Sequence, residues 1–553
     1  MKILLTTLNA KYIHKNLALR WLYVASYCKE NVDIKEYTIK DDIHRIAEEL
    51  IGSDYDVVAF SVYIWNIEET RKIIKLIKQK CNKHIIVGGP EVSYESYYLI
   101  NEGVNAISIG EGEVAFWQYI KNYEQNIQEE IVGIYTKEFP NTRFAYVDLD
   151  TNEQYESPYF LDIDKNEMGK RYFYFETSRG CPYNCEYCLS SVDGKVRLYS
   201  EAYIFSVLEK IAKSDIKIVK LLDRTFNVSP KRALKIARYM NEHCKNQIFQ
   251  FEIVAETLSE ELLDFFCNEA DKKRFRFEIG VQSFHQPTLQ AVGRIQNNER
   301  LKEVIERLQE AQVVMHVDLI AGLPYEGYEL FQHSFNRLFD LHVDEIQLGI
   351  LKLLKGTPLK RKHELYGFEY NTLPPYDIQK TLWLNHEELQ LIHDAAHAVE
   401  KFYNSNTMRY TIDHILELGL YSDAFTLFVE LGKRMNTLPH PYQPHQLFEL
   451  MKQLSDGVDS EIVDGLLYFD YFKIFKQRPK LFLKTMITTE KRKEIINLFL
   501  KRDIIEEQKI YHYTYIDVVY YQNKCGYQLV LYNQKQQYPK RWFIDGEYIE
   551  VIE

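Results

Sequence analysis

The amino-acid sequence predicts an α/β fold in three blocks: a doubly wound, flavodoxin-like sheet, a partial (β/α)6 barrel and a mostly helical extension ending in strands. Three observations lead to this prediction. Short apolar runs alternate with helical patterns over residues 1–140, the alternation repeats six times over residues 165–360, and residues 361–553 carry mainly helical periodicity. Strands that alternate with helices indicate parallel sheets, because each crossover helix covers the sheet between two parallel strands.

The first block contains five apolar runs of strand length, followed by two short strand candidates. The five runs are residues 2–8, 32–39, 56–61, 84–87 and 106–109, and the short candidates are residues 131–137 and 143–150. Helical patterns cover residues 16–29 and 67–80. In doubly wound sheets the ligand crevice lies beyond the carboxyl ends of the strands, so we expect the Gly-rich strand ends of this block to form a binding site.

The second block repeats strand and helix in the order of a barrel. Its predicted strands are residues 172–177, 216–222, 249–253, 274–281, 313–320 and 345–351, with helices such as 230–243 and 298–311 between them. Barrel enzymes place their chemistry at the carboxyl ends of the strands. The segments that follow these strands are therefore the candidate catalytic segments.

The third block is predicted to be helical from residue 377 to about residue 500 and then to form Tyr-rich strands at 511–521 and 527–532. Residues 473–502 carry ten Lys or Arg against Glu490 and Glu494, a net charge of +8 (10 − 2). Such a stretch could meet the phosphates of RNA or an anionic substrate. The alternative is a solvated, charged helix face.

The composition excludes several classes of protein. The chain has 553 residues, 68 Lys+Arg against 80 Asp+Glu, and a net charge of −12, which excludes a collagen, a disordered tail protein and a basic nucleic-acid coat. Eight cysteines are too few for a disulfide scaffold. No apolar run reaches membrane-spanning length and the N-terminal residues lack signal-peptide order, so we expect a cytoplasmic protein without a membrane partner.

Three of the eight cysteines lie within eight positions, directly after the first predicted barrel strand. Cys181, Cys185 and Cys188 have the spacing Cys-x3-Cys-x2-Cys. Three thiolates in one loop can bind three irons of a [4Fe–4S] cluster, leaving the fourth iron open to a small-molecule chelate. The alternatives are a structural zinc knuckle, which needs a fourth ligand at short range, and chance clustering. The next candidate ligands in the sequence are His243 and Cys244.

This loop resembles the signature of the radical S-adenosylmethionine (SAM) superfamily, including the aromatic Tyr187 before the third cysteine. The resemblance implies that Cys181, Cys185 and Cys188 hold a [4Fe–4S] cluster that chelates SAM. It also implies that an electron from the cluster cleaves the sulfonium to give methionine and a 5′-deoxyadenosyl radical. A one-electron reductant of the flavodoxin or ferredoxin type is then an expected partner.

The resemblance also implies SAM contacts at the strand ends of the barrel. The segment 222–227 looks like that of cobalamin-domain relatives and departs from the Gly-Gly-Glu found in many members, so the donor to the methionine amino group is left open. Glycine 356 stands where relatives pass their backbone against adenine. The residues expected to contact SAM are Tyr187, Asp223, Thr225, Glu252, Gln282, Ser283, Asp318 and Gly356.

A doubly wound domain ahead of such a barrel resembles the cobalamin (B12)-binding class. The loop after the first strand departs from the pattern Asp-x-His-x-x-Gly, with Tyr12 in place of Asp and Leu17 in place of Gly, so cobalamin is expected without cobalt ligation by His14. The alternative is a degenerate domain that docks without cobalamin. The residues expected to contact cobalamin are Asn9, Ala10, Lys11, Tyr12, Ser61, Tyr63, Gly88, Gly89, Glu111, Gly112 and Glu113.

The third block resembles an uncharacterised C-terminal extension of cobalamin-domain radical enzymes. Together the resemblances imply a radical SAM enzyme that transfers a methyl group from cobalamin to an unactivated carbon of an unknown, most simply small-molecule, substrate. Two alternatives are a radical enzyme that oxidises, cyclises or rearranges its substrate without methyl transfer, and a non-catalytic binder of RNA or cobalamin. A methylthiotransferase is disfavoured, because Cys28 and Cys81 are too far apart to match the extra cluster of that class.

Overall fold

The computed structural model describes residues 1–192, 195–475, 483, 485–532 and 539–552. The chain divides into two compact units. The first contains Met1–Gly327 and Ile350–Asn385, and the second contains Tyr328–Gly349 and His386–Glu553. Within the described residues, no helix combines the length and apolar character needed to cross a membrane.

The first unit begins with a six-stranded sheet. In spatial order its strands are Val32–Thr38, Ile3–Asn9, Val57–Ser61, His84–Gly88, Ala106–Ser108 and Ile134–Tyr135. The first five run parallel and the last is antiparallel. The main helices between them are Leu17–Ala25, Ile43–Gly52, Ile67–Lys80 and Gly112–Gln125. All seven residues of Ile3–Asn9 are buried, as expected of a central parallel strand covered on both faces.

The strand order explains where a ligand crevice can form. The chain leaves strand Ile3–Asn9 to one side to form Val32–Thr38, then crosses to the other side to form Val57–Ser61. The carboxyl ends of Ile3–Asn9 and Val57–Ser61 therefore flank the point at which the winding direction reverses. Doubly wound sheets bind their ligands at this point.

Helix Ile67–Lys80 shows why the local sequence forms these elements. Its buried residues Ile67, Ile73, Ile74 and Ile77 recur at helical spacing and form the face that packs on the sheet. Acidic residues occupy its first turn and lysines its last turn, which complements the helix dipole. The predicted boundaries of this helix are confirmed.

A second parallel sheet follows in the same unit. Its strands, in both chain and spatial order, are Phe173–Phe175, Ile218–Leu221, Ile248–Ile253, Phe275–Gln282 and Val314–Ala321. The helices between them are Glu201–Ala212, Pro230–His243, Glu260–Asp264, Gln286–Ala291 and Asn298–Glu310. Burial alternates along the last two strands, so one face packs under the helices and the other faces the barrel lumen.

Shorter elements complete the first unit. Ser178–Arg179 pairs antiparallel with Arg197–Leu198, and Glu369–Tyr370 pairs antiparallel with Ile378–Lys380. Two short helices are Leu149–Glu153 and Pro358–Arg361. The strand predicted for residues 143–150 is wrong: only Ala145 forms a β-bridge, and Asp148 caps the helix that begins at Leu149 by accepting from the Asp150 amide.

A buried ionic cluster, which we call the Arg20 cluster, connects the first sheet to the linker that leads to the second. The Arg20 side chain is 2% exposed and contacts Glu36 (Nη2 to Oε2, 2.9 Å) and Asp164 (Nη2 to Oδ1, 2.8 Å). Lys15 also reaches Asp164 (3.0 Å), and Arg171 reaches Glu36 (3.2 Å). Five paired charges therefore fix the first block against residues 162–171.

The second unit is mostly helical. Helix Tyr328–Phe339 and all but the last residue of strand Glu345–Ile350 belong to it. Its other helices are His386–Ala398, Arg409–Glu417, Ala424–Met435, Pro444–Leu454, Ser460–Ile474, Thr489–Lys501 and Glu507–His512. Strands Thr514–Tyr521, Lys524–Leu531, Lys540–Asp545 and Tyr548–Ile552 then form an antiparallel sheet. Residues 476–482 and 484 of the predicted basic stretch lie outside the described residues.

Candidate active site

The cysteine loop starts at the carboxyl end of strand Phe173–Phe175 and is held there by a buried carboxylate. Asp223, 1% exposed, follows the neighbouring strand. It accepts hydrogen bonds from the Thr177 amide (2.8 Å), the Thr177 hydroxyl (2.5 Å) and the Ser178 hydroxyl (2.6 Å). Burial raises the pKa of Asp223, while these donors oppose that shift. The predicted SAM contact Asp223 thus positions the entrance to the cysteine loop.

Gly180 allows the loop to turn beside its neighbours. Its φ is +89°, and a Cβ atom at this position would lie 2.0 Å from the Lys195 carbonyl oxygen. A side chain there would be both strained and in collision, so only glycine permits the close approach. The turn brings Cys181 to the carboxyl end of the sheet.

Three segments fix the middle of the loop. The Glu186 amide donates to the Val292 carbonyl (2.9 Å), and the Glu186 carbonyl accepts from the Leu359 amide (3.0 Å). The Glu186 carboxylate pairs with Lys362 at 2.6 Å. Ser191 donates to the carbonyls of both Cys185 and Cys188, at 2.8 and 2.7 Å. The loop is therefore shaped by the protein's own groups.

The three cysteines of the loop are free thiols, and Cys185 is 7% exposed. Within the described ranges, no three His, Cys, Asp or Glu side chains converge closely enough to hold one metal ion. Each thiolate of a [4Fe–4S] cluster binds a different iron, so three cysteines in one loop can ligate three of its irons. Thr225, a predicted SAM contact, has its hydroxyl 3.9 Å from the Cys181 sulfur.

Sequence reasoning missed Arg294, which lies beside the loop. Its guanidinium donates to the Gly280 carbonyl and to Gln296 (Nε to Oε1, 2.9 Å). Burial raises the pKa of the neighbouring phenol Tyr187, and Arg294 opposes that shift. Arg294 thus connects the strand end at Gly280 to the cysteine loop. The local sequence gives no signal for this role, because Arg294 interacts with Tyr187 and Cys185, which belong to a segment distant in the chain.

The ends of the next three barrel strands bring other predicted SAM residues to the lumen. Glu252 lies 3.4 Å from Arg224, and burial raises the pKa of its carboxyl group. His316 Nε2 lies 3.3 Å from Asp318 Oδ1. Gln282 has a φ of +67°, and its buried Oε1 has no hydrogen-bond partner among the described residues. A buried acceptor of this kind fits a ligand hydroxyl or amine.

Ser283 stands apart from this set. It is fully buried and donates to Glu326 at 2.6 Å, so its hydroxyl serves the internal packing of the fourth strand end.

A cavity of about 790 Å³ lies between the two sheets of the first unit. Nine of the eleven residues expected to contact cobalamin line it: Asn9, Ala10, Ser61, Tyr63, Gly88, Gly89, Glu111, Gly112 and Glu113. The other two do not. Lys11 is exposed, and Tyr12 is 55% exposed and donates to Glu167 at 2.7 Å.

The same cavity is lined by residues of the second sheet and by both flanks of the cysteine loop. These residues are Tyr174, Glu176, Ser178, Arg179, Gly180, Leu189, Ser190, Leu222 and Arg224. The predicted cobalamin residues and the cysteine loop thus share one space.

Gly89 and Asn16 shape part of the cavity wall. Gly89 has a φ of +110°, and a Cβ atom there would lie 2.5 Å from the Val62 carbonyl oxygen. Nearby, Asn16 donates to Ser61 (3.2 Å) and Tyr63 (3.3 Å) and caps helix Leu17–Ala25. Glycine is therefore required at residue 89 by its contact with the Val62 backbone, and this turn forms part of the cavity wall. Asn16 was missed from the sequence because its partners lie 45 and 47 residues away in the chain.

The carboxylates of Glu111 and Glu113 bind arginines of the second sheet's domain. Glu111 contacts Arg197 at 2.6 Å, and Glu113 contacts Arg179 at 2.8 Å. Arg179 is also held by Glu176 at 2.7 Å. Because Arg179 lies two residues before Cys181, this turn connects the cavity wall directly to the cysteine loop.

His14 lines the cavity and contacts Tyr174 (Nδ1 to Oη, 2.6 Å). Burial, with nearby lysines, lowers the pKa of His14. One ring nitrogen is thus engaged with a protein group.

Comparison with known families divides the chain into three parts. Residues 3–120 match the family described as B12 binding domain, and residues 175–338 match the family described as radical SAM superfamily. Residues 364–545 match a family described as protein of unknown function (DUF4080). The N-terminal and central matches cover the two sheets that enclose the cavity.

Among curated proteins, the chain is similar to a cobalamin-dependent radical SAM methyltransferase, TokK, of Streptomyces tokunonensis. The two are 24% identical over 355 residues, which cover 58% of this chain and 50% of the relative. It is also 23% identical over 390 residues to a 2-(S-pantetheinyl)-carbapenam-3-carboxylate methyltransferase of Streptantibioticus cattleyicolor, covering 64% of this chain and 54% of that protein. The chain thus spans about half the length of these relatives.

Two solved structures share the fold. The cobalamin-dependent S-adenosylmethionine radical enzyme OxsB matches with a TM-score of 0.57 and 16% identity, over 91% of this chain and 81% of that one. The radical S-adenosylmethionine methyltransferase TsrM from Kitasatospora setae matches with a TM-score of 0.56 and 16% identity, over 67% of this chain and 79% of that one.

Proposed function

Because this chain is a member of the radical SAM superfamily in the class that carries a B12-binding domain, we propose that it is a cobalamin-dependent radical SAM methyltransferase. The substrate would be a small molecule methylated at an unactivated carbon. We assign cobalamin binding to residues 1–140, the cluster and SAM to residues 165–360, and an accessory role to residues 361–553.

The observation that carries the proposal is the shared cavity. Ser61 and Gly88, at strand ends of the first sheet, line the same space as Gly180 and Leu189, which flank the cysteines. A methyl donor on one wall and a radical source on the other would then meet at a substrate between them. Holding reactants in one enclosed space supplies proximity and excludes water from reactive species.

The chain's own residues have definite roles in this proposal. Cys181, Cys185 and Cys188 would ligate the cluster, and Asp223 would hold their loop at the strand end. Gly88 and Gly89 would leave room for the nucleotide tail of cobalamin. When bound, the cluster supplies the electron that cleaves SAM to methionine and a 5′-deoxyadenosyl radical, and cobalamin supplies the methyl group. Cobalamin is expected without cobalt ligation by His14.

The residues expected to contact SAM divide by environment. Glu252, Gln282 and Asp318 offer acceptors toward the lumen, and the backbone at Gly356 would meet the adenine. Tyr187 and Thr225 lie beside the cysteine loop. The enzyme would draw its electron from a flavodoxin- or ferredoxin-type donor and act in the cytoplasm, where thiolates stay reduced.

The test is anaerobic reconstitution with iron, sulfide and hydroxocobalamin, followed by incubation with SAM carrying a deuterated methyl group and fractionated cell metabolites. We expect 5′-deoxyadenosine and a metabolite that has gained the labelled methyl. Cys185→Ala should reduce 5′-deoxyadenosine to background. Cys244→Ala, which also removes a buried free thiol, should leave its formation unchanged. 5′-Deoxyadenosine formed with a product that lacks the labelled methyl would contradict methyl transfer.

A further inference from the structure

The segment Glu91–Ser96, which we call the strap, follows strand His84–Gly88 and contacts residues between 355 and 376. Glu91 is 6% exposed and pairs with Lys355 at 2.7 Å. The Tyr376 hydroxyl also donates to Glu91, and Lys355 donates to the Ser96 hydroxyl at 3.3 Å. One end of the strap is therefore fixed by a buried ion pair.

The other end of the strap is fixed by Glu95. This residue has a φ of +50°, and its carboxylate accepts from the Gly356 amide at 3.2 Å. The second oxygen pairs with Lys360 at 2.5 Å. The backbone conformation of Glu95 is uncommon for a residue with a side chain and is maintained by these contacts.

Between the two anchors, the Tyr94 ring packs on Gly356. A Cβ atom at residue 356 would lie 2.2 Å from Tyr94 Cδ1 and 2.4 Å from Cγ, and the φ of Gly356 is +81°. Three residues further on, the Leu359 amide binds the Glu186 carbonyl in the cysteine loop. The surface covered by Tyr94 is therefore continuous with the site assigned to the cluster and SAM.

Tyr94 also lines the cavity assigned to cobalamin, beside Gly89 and Ser93. Its ring centroid lies 4.8 Å from that of Phe144, another lining residue. One aromatic ring thus contributes to the wall of the cavity and to the covering of Gly356. The contacts of Glu91 and Glu95, on either side of Tyr94, limit how far its ring can move.

We propose that Tyr94 is a positioning residue that couples occupancy of the cobalamin cavity to occupancy of the SAM site at Gly356. This rests on the proposed function. A corrin bound against the cavity side of the strap restricts the position of the Tyr94 ring. The position of the Tyr94 ring in turn sets how much space a ligand has next to Gly356. Such coupling is reciprocal: each ligand changes the affinity for the other by the same factor.

The test measures binding, with no turnover. The affinity of the reconstituted full-length protein for S-adenosylhomocysteine is measured by calorimetry with and without bound hydroxocobalamin, and the affinity for hydroxocobalamin is measured by absorbance with and without the SAM analogue. We expect each ligand to change the other's dissociation constant by about fivefold or more. Tyr94→Ala should reduce that factor to below about twofold, whereas Tyr94→Phe, which keeps the ring, should preserve it.

Tyr97 provides the matched control. It follows the strap directly, stacks on Tyr135 at 4.5 Å and is absent from the lining of the cavity. Tyr97→Ala should preserve the coupling factor. A Tyr94→Ala protein that binds both ligands with the wild-type factor would overturn the proposal, as would a wild-type protein that binds both without coupling. If the wild-type protein binds neither ligand, the proposed function itself fails.

Discussion

Replacing Arg20 by methionine should destabilise the first unit strongly, and the size of the effect follows from the Arg20 cluster. The substitution removes the ion pairs to Glu36 and Asp164 and leaves two carboxylates that are 8% and 3% exposed. Breaking a buried pair from one side costs about 3–5 kcal/mol. Lys15 and Arg171 still contact these carboxylates, so we expect the lower end, about 3 kcal/mol.

The loss should depend on pH in a definite direction. Burial alone would raise the pKa values of Glu36 and Asp164, but Arg20, together with Arg171 at Glu36 and Lys15 at Asp164, outweighs burial and holds both below their ordinary values of 4.5 and 3.8. A lowered folded-state pKa gives stability that is present above the unfolded pKa and is lost as pH falls through the folded pKa. Without Arg20, fewer groups oppose burial, so both pKa values rise relative to the wild type. The deficit of Arg20→Met should therefore be largest near neutral pH and should shrink as pH falls below the ordinary carboxylate range.

The assay is urea unfolding of the cofactor-free protein at several pH values, with the free energy taken from the transition of the first unit. Arg45→Met is the control, because Arg45 is 64% exposed and its contact with Asp41 is a surface pair that contributes less than about 1 kcal/mol. A deficit for Arg20→Met no larger than that of the control, or one that grows toward acid pH, would refute the reasoning.

Three further predictions concern the candidate site. Gly89→Ala should weaken hydroxocobalamin binding at least tenfold, about 1.4 kcal/mol, in an absorbance titration, whereas Gly52→Ala, with nothing within 4 Å of the new Cβ, should not. Asp223→Asn should lower the iron and sulfide that the reconstituted protein retains after desalting, because charge-assisted hydrogen bonds worth about 1.5–3 kcal/mol each are weakened. The control is Asp54→Asn, which changes an exposed carboxylate and should leave retention complete. Complete retention in Asp223→Asn would count against this role. Electron paramagnetic resonance of bound cob(II)alamin should show no nitrogen splitting from His14; a splitting that disappears in His14→Ala would falsify ligation-free binding.

The elements that the sequence predicts well are those whose burial pattern is set by neighbours along the chain. Helix Ile67–Lys80 carries its whole apolar face in one local repeat, and helix Pro230–His243 starts at a proline in its first turn. The strand predicted for residues 143–150 does not form, although its apolar and polar residues alternate. It pairs with a neighbouring segment only at the single bridge of Ala145, and the side chain of Asp148 favours the start of a helix. Local pattern cannot supply a missing partner strand.

The candidate site divides in the same way. The cysteine spacing is local, so the sequence can indicate a cluster loop. Arg294, Asn16 and Tyr94 could not be found from the sequence, because their partners at the cysteine loop, at Ser61 and at Gly356 are distant in the chain. Glu111 and Glu113 were predicted as cofactor contacts, and the structure adds that their carboxylates also bind Arg197 and Arg179.

The glutamate–arginine contacts at the turn after strand Ala106–Ser108 have a consequence for dissecting the protein. Arg179 is 12% exposed, and one of its carboxylate partners, Glu113, belongs to the N-terminal domain. In a chimera whose N-terminal domain carries neutral residues at this turn, Arg179 would stay buried but lose this counter-charge, and breaking a buried pair from one side costs about 3–5 kcal/mol. Exchange of the N-terminal domain between relatives should therefore succeed only when both glutamates travel with it, so that the two domains behave as one inherited module.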